Sequence, residues 1–91
     1  MIVKIGPYKY SKSTRANKKL MVEVNGKKIH FGDSNMQQYH DKTGIWKHLD
    51  HKDKKRRKNY LERAEGIKDG FGKLTSNDPE SANYHSIRIL W

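Results

Sequence analysis

Ninety-one residues allow one small domain, and with 33% of them hydrophobic the core is expected to be thin. Twenty lysines and arginines against ten acids leave a formal charge of +10, which points to a polyanion such as DNA, RNA or an acidic protein surface. The absence of cysteine excludes a disulfide framework, a thiol nucleophile and a thiolate zinc site. No apolar run approaches the roughly 18 residues of a membrane span, and MIVKIGPYKY lacks the long apolar region of a secretory signal, so an intracellular setting without membrane contact is expected.

Ile2, Val3 and Ile5 form a short β-like run that Gly6 and Pro7 stop. Tyr8 and Tyr10 then lead into SKSTRANKK, so residues 9–19 read as a loop or a flexible basic arm. As an arm, it would lay Lys9, Lys12, Arg15, Lys18 and Lys19 along a phosphate backbone and order only on binding; as a loop it is a solvated connector. The two tyrosines either pack on the core or stack on bases.

The next stretch, KLMVEVNGKKIHF, predicts a hairpin. Asn25-Gly26 between alternating residues suits a two-residue type I′ turn, in which both positions need positive φ. The register follows: Val24 opposite Lys27, Glu23 opposite Lys28, Val22 opposite Ile29, Met21 opposite His30 and Leu20 opposite Phe31. Leu20, Val22, Ile29 and Phe31 then share the core face, and His30 points away from it. Beyond Gly32-Asp33, one helical turn is expected near Asn35 to Asp41, followed by a loop that buries Ile45 and Trp46. This middle third holds several His and Asp residues, but none in a diagnostic metal-binding spacing such as H-E-x-x-H, so neither a metal nor another cofactor is expected.

The longest helical signal is HLDHKDKKRRKNYLERAEG, read as one amphipathic helix from Asp50, its expected cap, to Gly66. On a helix at 3.6 residues per turn, Asp53, Arg57, Ala64 and Ile67 fall near Tyr60, with Arg56 and Arg63 flanking that stripe. Lys54 and Lys58 fall on the far side. Asp53 and Arg57, four apart, are expected to pair beneath Tyr60, because an inward charge left alone costs several kcal/mol. Asp53, Arg57, Tyr60 and Arg63 thus read as a structural polar motif; the alternative makes Asp53, Arg56, Arg57 and Tyr60 a recognition or catalytic cluster. Gly70-Phe71-Gly72 reads as a turn with an anchored aromatic, since no G-K-[ST] signature supports a phosphate loop. Asp78-Pro79-Glu80 is a helix-start signal, and SANYHSIRILW should be helical first and strand-like at its end, with Leu90-Trp91 buried.

Three blocks carry a resemblance: the hairpin from Lys19 to Asp33, ending in IHFGD; the helix with His51, Asp53, Arg56, Arg57, Tyr60 and Arg63; and the tail with Ser81, Ala82, Tyr84, Ser86, Leu90 and Trp91. The chain resembles a family of small basic proteins of tailed bacteriophages and large DNA viruses for which no activity is established. The resemblance implies a viral origin, in a host cytoplasm or a virion, and no chemistry. A histidine often follows the arginine matched by Arg63 in that family; Ala64 stands there in this chain, and if that histidine belongs to a catalytic group its loss argues against catalysis here.

The fold class expected is α+β, with a two- or three-stranded antiparallel sheet covered by the Asp50 to Gly66 helix and the C-terminal segment beside it. The leading functional expectation is a viral or phage nucleic-acid-binding protein that contacts the phosphate backbone with little sequence specificity, DNA before RNA. Its contacts would be Lys52, Lys54, Lys55, Arg56 and Lys58, supplemented by Lys12, Arg15, Lys18 and Lys19. A second is a minor capsid or cement protein that uses the apolar terminus with Tyr8, Tyr10 and Trp46 at an oligomeric or shell interface. A third is a small metal-dependent nuclease with His48, His51 or His85 as base and Asp53 near the metal. Composition favours binding over catalysis.

Overall fold

Alternating apolar and polar residues carry the first third of the chain into an antiparallel meander of four strands: β1 (Ile2–Ile5), β2 (Tyr8–Lys12), β3 (Lys18–Val24) and β4 (Lys27–Asp33), in that spatial order. The computed structural model describes residues 2–91. Asn25 and Gly26 take φ of 52° and 80°, as a type I′ turn demands, and the β3–β4 register pairs Leu20 with Phe31, Val22 with Ile29 and Val24 with Lys27, as the turn predicts. The sheet has one or two more strands than expected. Residues 9–19 form no arm: Lys9 to Lys12 lie in β2, Lys18 and Lys19 in β3, with a short loop between. The polar composition of SKSTRANKK obscures a two-residue period in which Tyr10 pairs with Val22 and Lys12 with Leu20.

The main helix, α1 (Lys54–Ala64), begins four residues later than its expected cap. Lys52 takes φ of 53°, in the left-handed region, so no helix can run through it, and Asp53 caps instead, its Oδ1 accepting from Lys55 N at 3.0 Å and Arg56 N at 3.3 Å. The second helix, α2 (Ala82–Leu90), is capped by Ser81 and stays helical to Leu90, where a strand-like end was expected. Asp78-Pro79-Glu80 forms the turn before it, closed by Ser81 N on Asp78 O at 2.8 Å.

It is α2, not α1, that covers the sheet. Its His85, Ile89 and Leu90 are buried on one face against Tyr10, Leu20, Val22, Val24, Ile29 and Phe31, each large aliphatic group contributing about 1.5–3 kcal/mol. By contrast α1 buries only Ala64 fully, since its remaining positions are mostly charged. It packs on α2: the Tyr60 ring stacks on Trp91 with centroids 4.0 Å apart and planes 7° apart, and the Tyr60 hydroxyl meets Ser86 Oγ at 3.1 Å.

Between β4 and α1 the expected turn of helix at Asn35 to Asp41 is absent; the segment is irregular, with one 3₁₀ turn at Lys47–Leu49, and buried polar groups hold it. Lys19, 1% exposed, donates through Nζ to Gln38 Oε1 and, at 2.6 Å, to Met36 O. Gln38 in turn donates to Trp46 O at 2.8 Å and to Asp50 Oδ1 at 2.6 Å, and Asp50 Oδ1 also accepts from Asp41 N at 2.8 Å. Asp41 anchors Thr43 N and Trp46 N, and Trp46 Nε1 returns to Lys19 O at 2.8 Å. This network fixes Ile45 and Trp46 against the core margin, as the sequence suggests.

Candidate nucleic-acid interface

Capping by Asp53 sets the phase of α1. Tyr60 and Ala64 then mark the packed side, and Lys54, Lys55 and Lys58, roughly 120–160° around the helix from Tyr60, are exposed. The first turn holds no acid, so these cations reinforce the positive end of the helix dipole instead of offsetting it. The chain's carboxylates do little to neutralise them. All the aspartates, Asp33, Asp41, Asp50, Asp53, Asp69 and Asp78, accept from backbone N–H groups and serve as caps or loop anchors. Among the described residues the single Lys or Arg ion pair is Lys27 with Glu80, at 3.6 Å. The lysines of α1 thus have no carboxylate partner among the described residues.

A second feature lies on another face of α1. Arg56, Tyr60 and Arg63, spaced i, i+4, i+7, line one wall of a cleft of about 600 Å³. Asn83, Ser86 and Leu90 of α2 form the other wall; Phe31 and Trp91 contribute apolar surface, and Lys18 and Asp33 stand at the strand side. Gly32 also borders this space, with φ of 77°; a Cβ there would come 2.8 Å from Leu90 Cδ1. Arg56 Nη1 donates to Gln37 Oε1 at 3.0 Å, while Lys18, Asn59 and Arg63 make no side-chain hydrogen bond or ion pair among the described residues. Parts of the three blocks that carry the resemblance, among them Phe31 to Asp33, Arg56, Tyr60, Arg63, Ser86, Leu90 and Trp91, thus meet at one cleft.

The other expected contact residues divide. Lys9, Lys12, Arg15 and Lys52 are exposed, Lys12 with its ammonium 5.4 Å from the centre of the Trp46 ring. Lys19 is a correction: burial pushes its ammonium pKa down against the pull of Asp41, Asp33 and Asp50, and its Nζ bonds are internal, so it cannot reach a phosphate. The expected Asp53–Arg57 pair is a second. Asp53 sits outside the helix as its cap, whereas Arg57 Nε donates to the Trp91 backbone oxygen at 2.7 Å with its guanidinium 5.3 Å from the Tyr39 ring. The motif is therefore split between capping (Asp53), joining α1 to the end of α2 (Arg57, Tyr60) and lining the cleft (Arg63). Tyr10 is buried and cannot stack on a base or meet a partner; Tyr8 and Trp46 are half-buried at the core margin.

The histidines proposed as bases sit in different settings. His85 is wholly buried; its Nε2–H donates to Pro79 O at 2.6 Å and its Nδ1 accepts from the Tyr10 hydroxyl at 2.8 Å, and burial lowers its pKa. His51 Nδ1 accepts from Asp53 N at 2.9 Å and its Nε2 is buried without a partner; burial and Arg56 lower its pKa against Asp53 and Asp50. His48 is exposed beside Trp46. His40 donates to Asp50 Oδ2 at 3.1 Å. Burial alone would raise the Asp50 carboxyl, but hydrogen bonds from Gln38, the Asp41 N–H and His40 outweigh it and hold the pKa below the usual range. No group of three His, Asp or Glu side chains among the described residues is arranged to hold a metal ion.

Residues 8–64 match a family of unknown function, DUF5754. The chain belongs to that family. The DUF5754 match runs from the start of β2 to the end of α1, and so includes the lysine face and the α1 wall of the cleft, while β1 and α2 lie outside it. No curated protein and no solved structure is significantly similar to the chain. The cleft itself escapes sequence reasoning. The Arg56, Tyr60, Arg63 spacing marks one face of a helix, but only the placement of α2 gives that face an opposing wall.

Proposed function

We propose that the protein binds the sugar-phosphate backbone of nucleic acid, DNA in preference to RNA, with little sequence specificity, as a viral or phage protein associated with the genome or the virion. One observation carries the reading: an exposed run of lysines on α1 in a chain whose aspartates are all engaged by backbone N–H groups. Lys54, Lys55 and Lys58 hold phosphates; Lys12, Arg15, Lys18, Lys52 and Arg56 extend the field on either side. We read the protein as a binder because its basic composition favours binding over catalysis; of the three histidines considered as a base, His85 has both ring nitrogens engaged inside the fold. The viral setting rests on the resemblance carried by the IHFGD hairpin, the α1 motif and the Leu90-Trp91 tail. Replacing Lys54, Lys55 and Lys58 by alanine should reduce the slope of log K against log salt on duplex DNA by about 2.7, at about 0.9 per phosphate contact. An unchanged slope removes α1 from the interface.

A second reading, a structural protein of the virion, gains support from the loop after α1. Phe71 is 93% exposed, and Ile67 and Leu74 nearby are also exposed, where the sequence reading expected an anchored aromatic. Asp69 Oδ1 accepts from Phe71 N at 2.8 Å and Lys73 N at 3.0 Å, so this apolar tip is displayed on an ordered turn. Recovery in proportion to emptied capsids, lost in Phe71→Ser, would favour that reading; recovery with released genome would favour the first.

A further inference from the structure

We propose that the cleft between α1 and α2 receives one unstacked nucleotide of a bound single strand, with its base against the apolar wall and its phosphate on Arg56 and Arg63. This rests on the nucleic-acid reading and adds to it a site that the lysine face does not provide. A volume of about 600 Å³ lies within the range of small-molecule clefts, roughly 300–1,000 Å³. Its charge is one-sided: Lys18, Arg56 and Arg63 border it against the single carboxylate of Asp33. Arg63 has no partner in the described chain, and Arg56 spends one nitrogen on Gln37, which leaves the guanidinium's other donors for an anion.

The rest of the lining suits a base more than a bare anion. Phe31, Leu90 and Trp91 offer apolar surface, and Trp91 is held by its stack with Tyr60. Asn83 gives both protons of its amide nitrogen to Ala64 O at 2.7 Å and Thr75 Oγ1 at 2.9 Å; its Oδ1 is left as an acceptor with a fixed direction. Asn59 is unpartnered on the facing wall. A base paired and stacked within a duplex cannot enter such a cleft, so the occupant must be single-stranded.

The test is amide NMR of the full chain, titrated at low salt with a thymidine trinucleotide, an abasic trinucleotide of equal charge and an acidic peptide. The trinucleotide with bases should shift Gly32, Asn59, Asn83 and Ser86 and bind about fivefold or more tightly than the abasic one. Arg63→Ala, at an exposed position, should weaken it by about tenfold while Arg63→Lys recovers part of the loss. Equal binding of the two trinucleotides, with shifts confined to Lys54 to Lys58, overturns the cleft and leaves the backbone reading standing. Cleft shifts with the peptide alone overturn it in favour of a protein ligand. Binding of neither trinucleotide overturns the cleft, and the same protein failing to bind a long duplex at low salt overturns the backbone reading as well.

Discussion

His85 links the two halves of the fold, and its replacement gives a prediction whose size changes with pH. The imidazole lies between Tyr10 of β2 and Pro79 before α2, accepting at Nδ1 and donating at Nε2, an arrangement that requires the neutral ring. His85→Phe keeps the volume and the aromatic neighbours Tyr8, Phe31 and Tyr84 but strands the Tyr10 hydroxyl and the Pro79 carbonyl, at about 1–3 kcal/mol each. Allowing for the gain from a less polar ring, we expect a loss of about 2–4 kcal/mol at pH 7.5. Burial lowers the folded-state pKa below the ordinary imidazole value of 6.5, so the unfolded chain takes up the proton first. The contribution of His85 is thus complete above pH 6.5 and falls below it, at about 1.4 kcal/mol per pH unit, until the folded pKa is reached. His30 and His51, also lowered, titrate in wild type and variant alike and cancel in the comparison. Urea denaturation at pH 7.5, 6.5 and 5.5 should therefore show the difference between the two proteins shrinking with acid. A difference that stays constant or grows would mean that the native imidazole is not neutral and the bonding scheme is wrong.

Other substitutions probe separate joints. Asp53→Ala should cost about 1 kcal/mol through loss of the α1 cap, with Asp53→Asn retaining most of it; hydrogen exchange of the Lys55 and Arg56 amides reads the effect locally. Gly32→Ala combines φ of 77° with a Cβ 2.8 Å from the buried Leu90 Cδ1, so a loss of about 2–4 kcal/mol is expected in thermal or urea unfolding; tolerance of alanine would mean that α2 does not close on β4 as described. Asp50→Ala strands one proton of Gln38 Nε2 and the Asp41 N–H, and a loss of about 2–5 kcal/mol should accompany faster exchange of the 38–50 amides.

The hairpin was legible in full because Asn25-Gly26 leaves one favoured turn and the turn leaves one register. What surrounds it was less so. Tyr10 is the only large apolar group within residues 9–19, so β2 follows from its pairing with Val22 and not from local pattern. The basic weight of residues 52–58 suggested one long covering helix, yet a single left-handed residue, Lys52, delays its start, and the sparse apolar face leaves the sheet to α2. Burial of Lys19 could not be read locally either: a lysine among lysines gives no sign that Gln38 and Met36 will hold its ammonium. The exposed lysines of α1 follow directly from helical spacing, whereas the cleft needs two helices brought together from distant parts of the chain.

Titration of labelled double-stranded DNA, single-stranded DNA and RNA across a salt series shows whether the protein binds nucleic-acid backbone. Binding to all three at low salt is expected, strongest for DNA, with steep loss as salt rises and a shallower slope once Lys54, Lys55 and Lys58 are neutral. No binding at low salt, or affinity indifferent to salt, would contradict that expectation and turn attention to Phe71 and a protein partner.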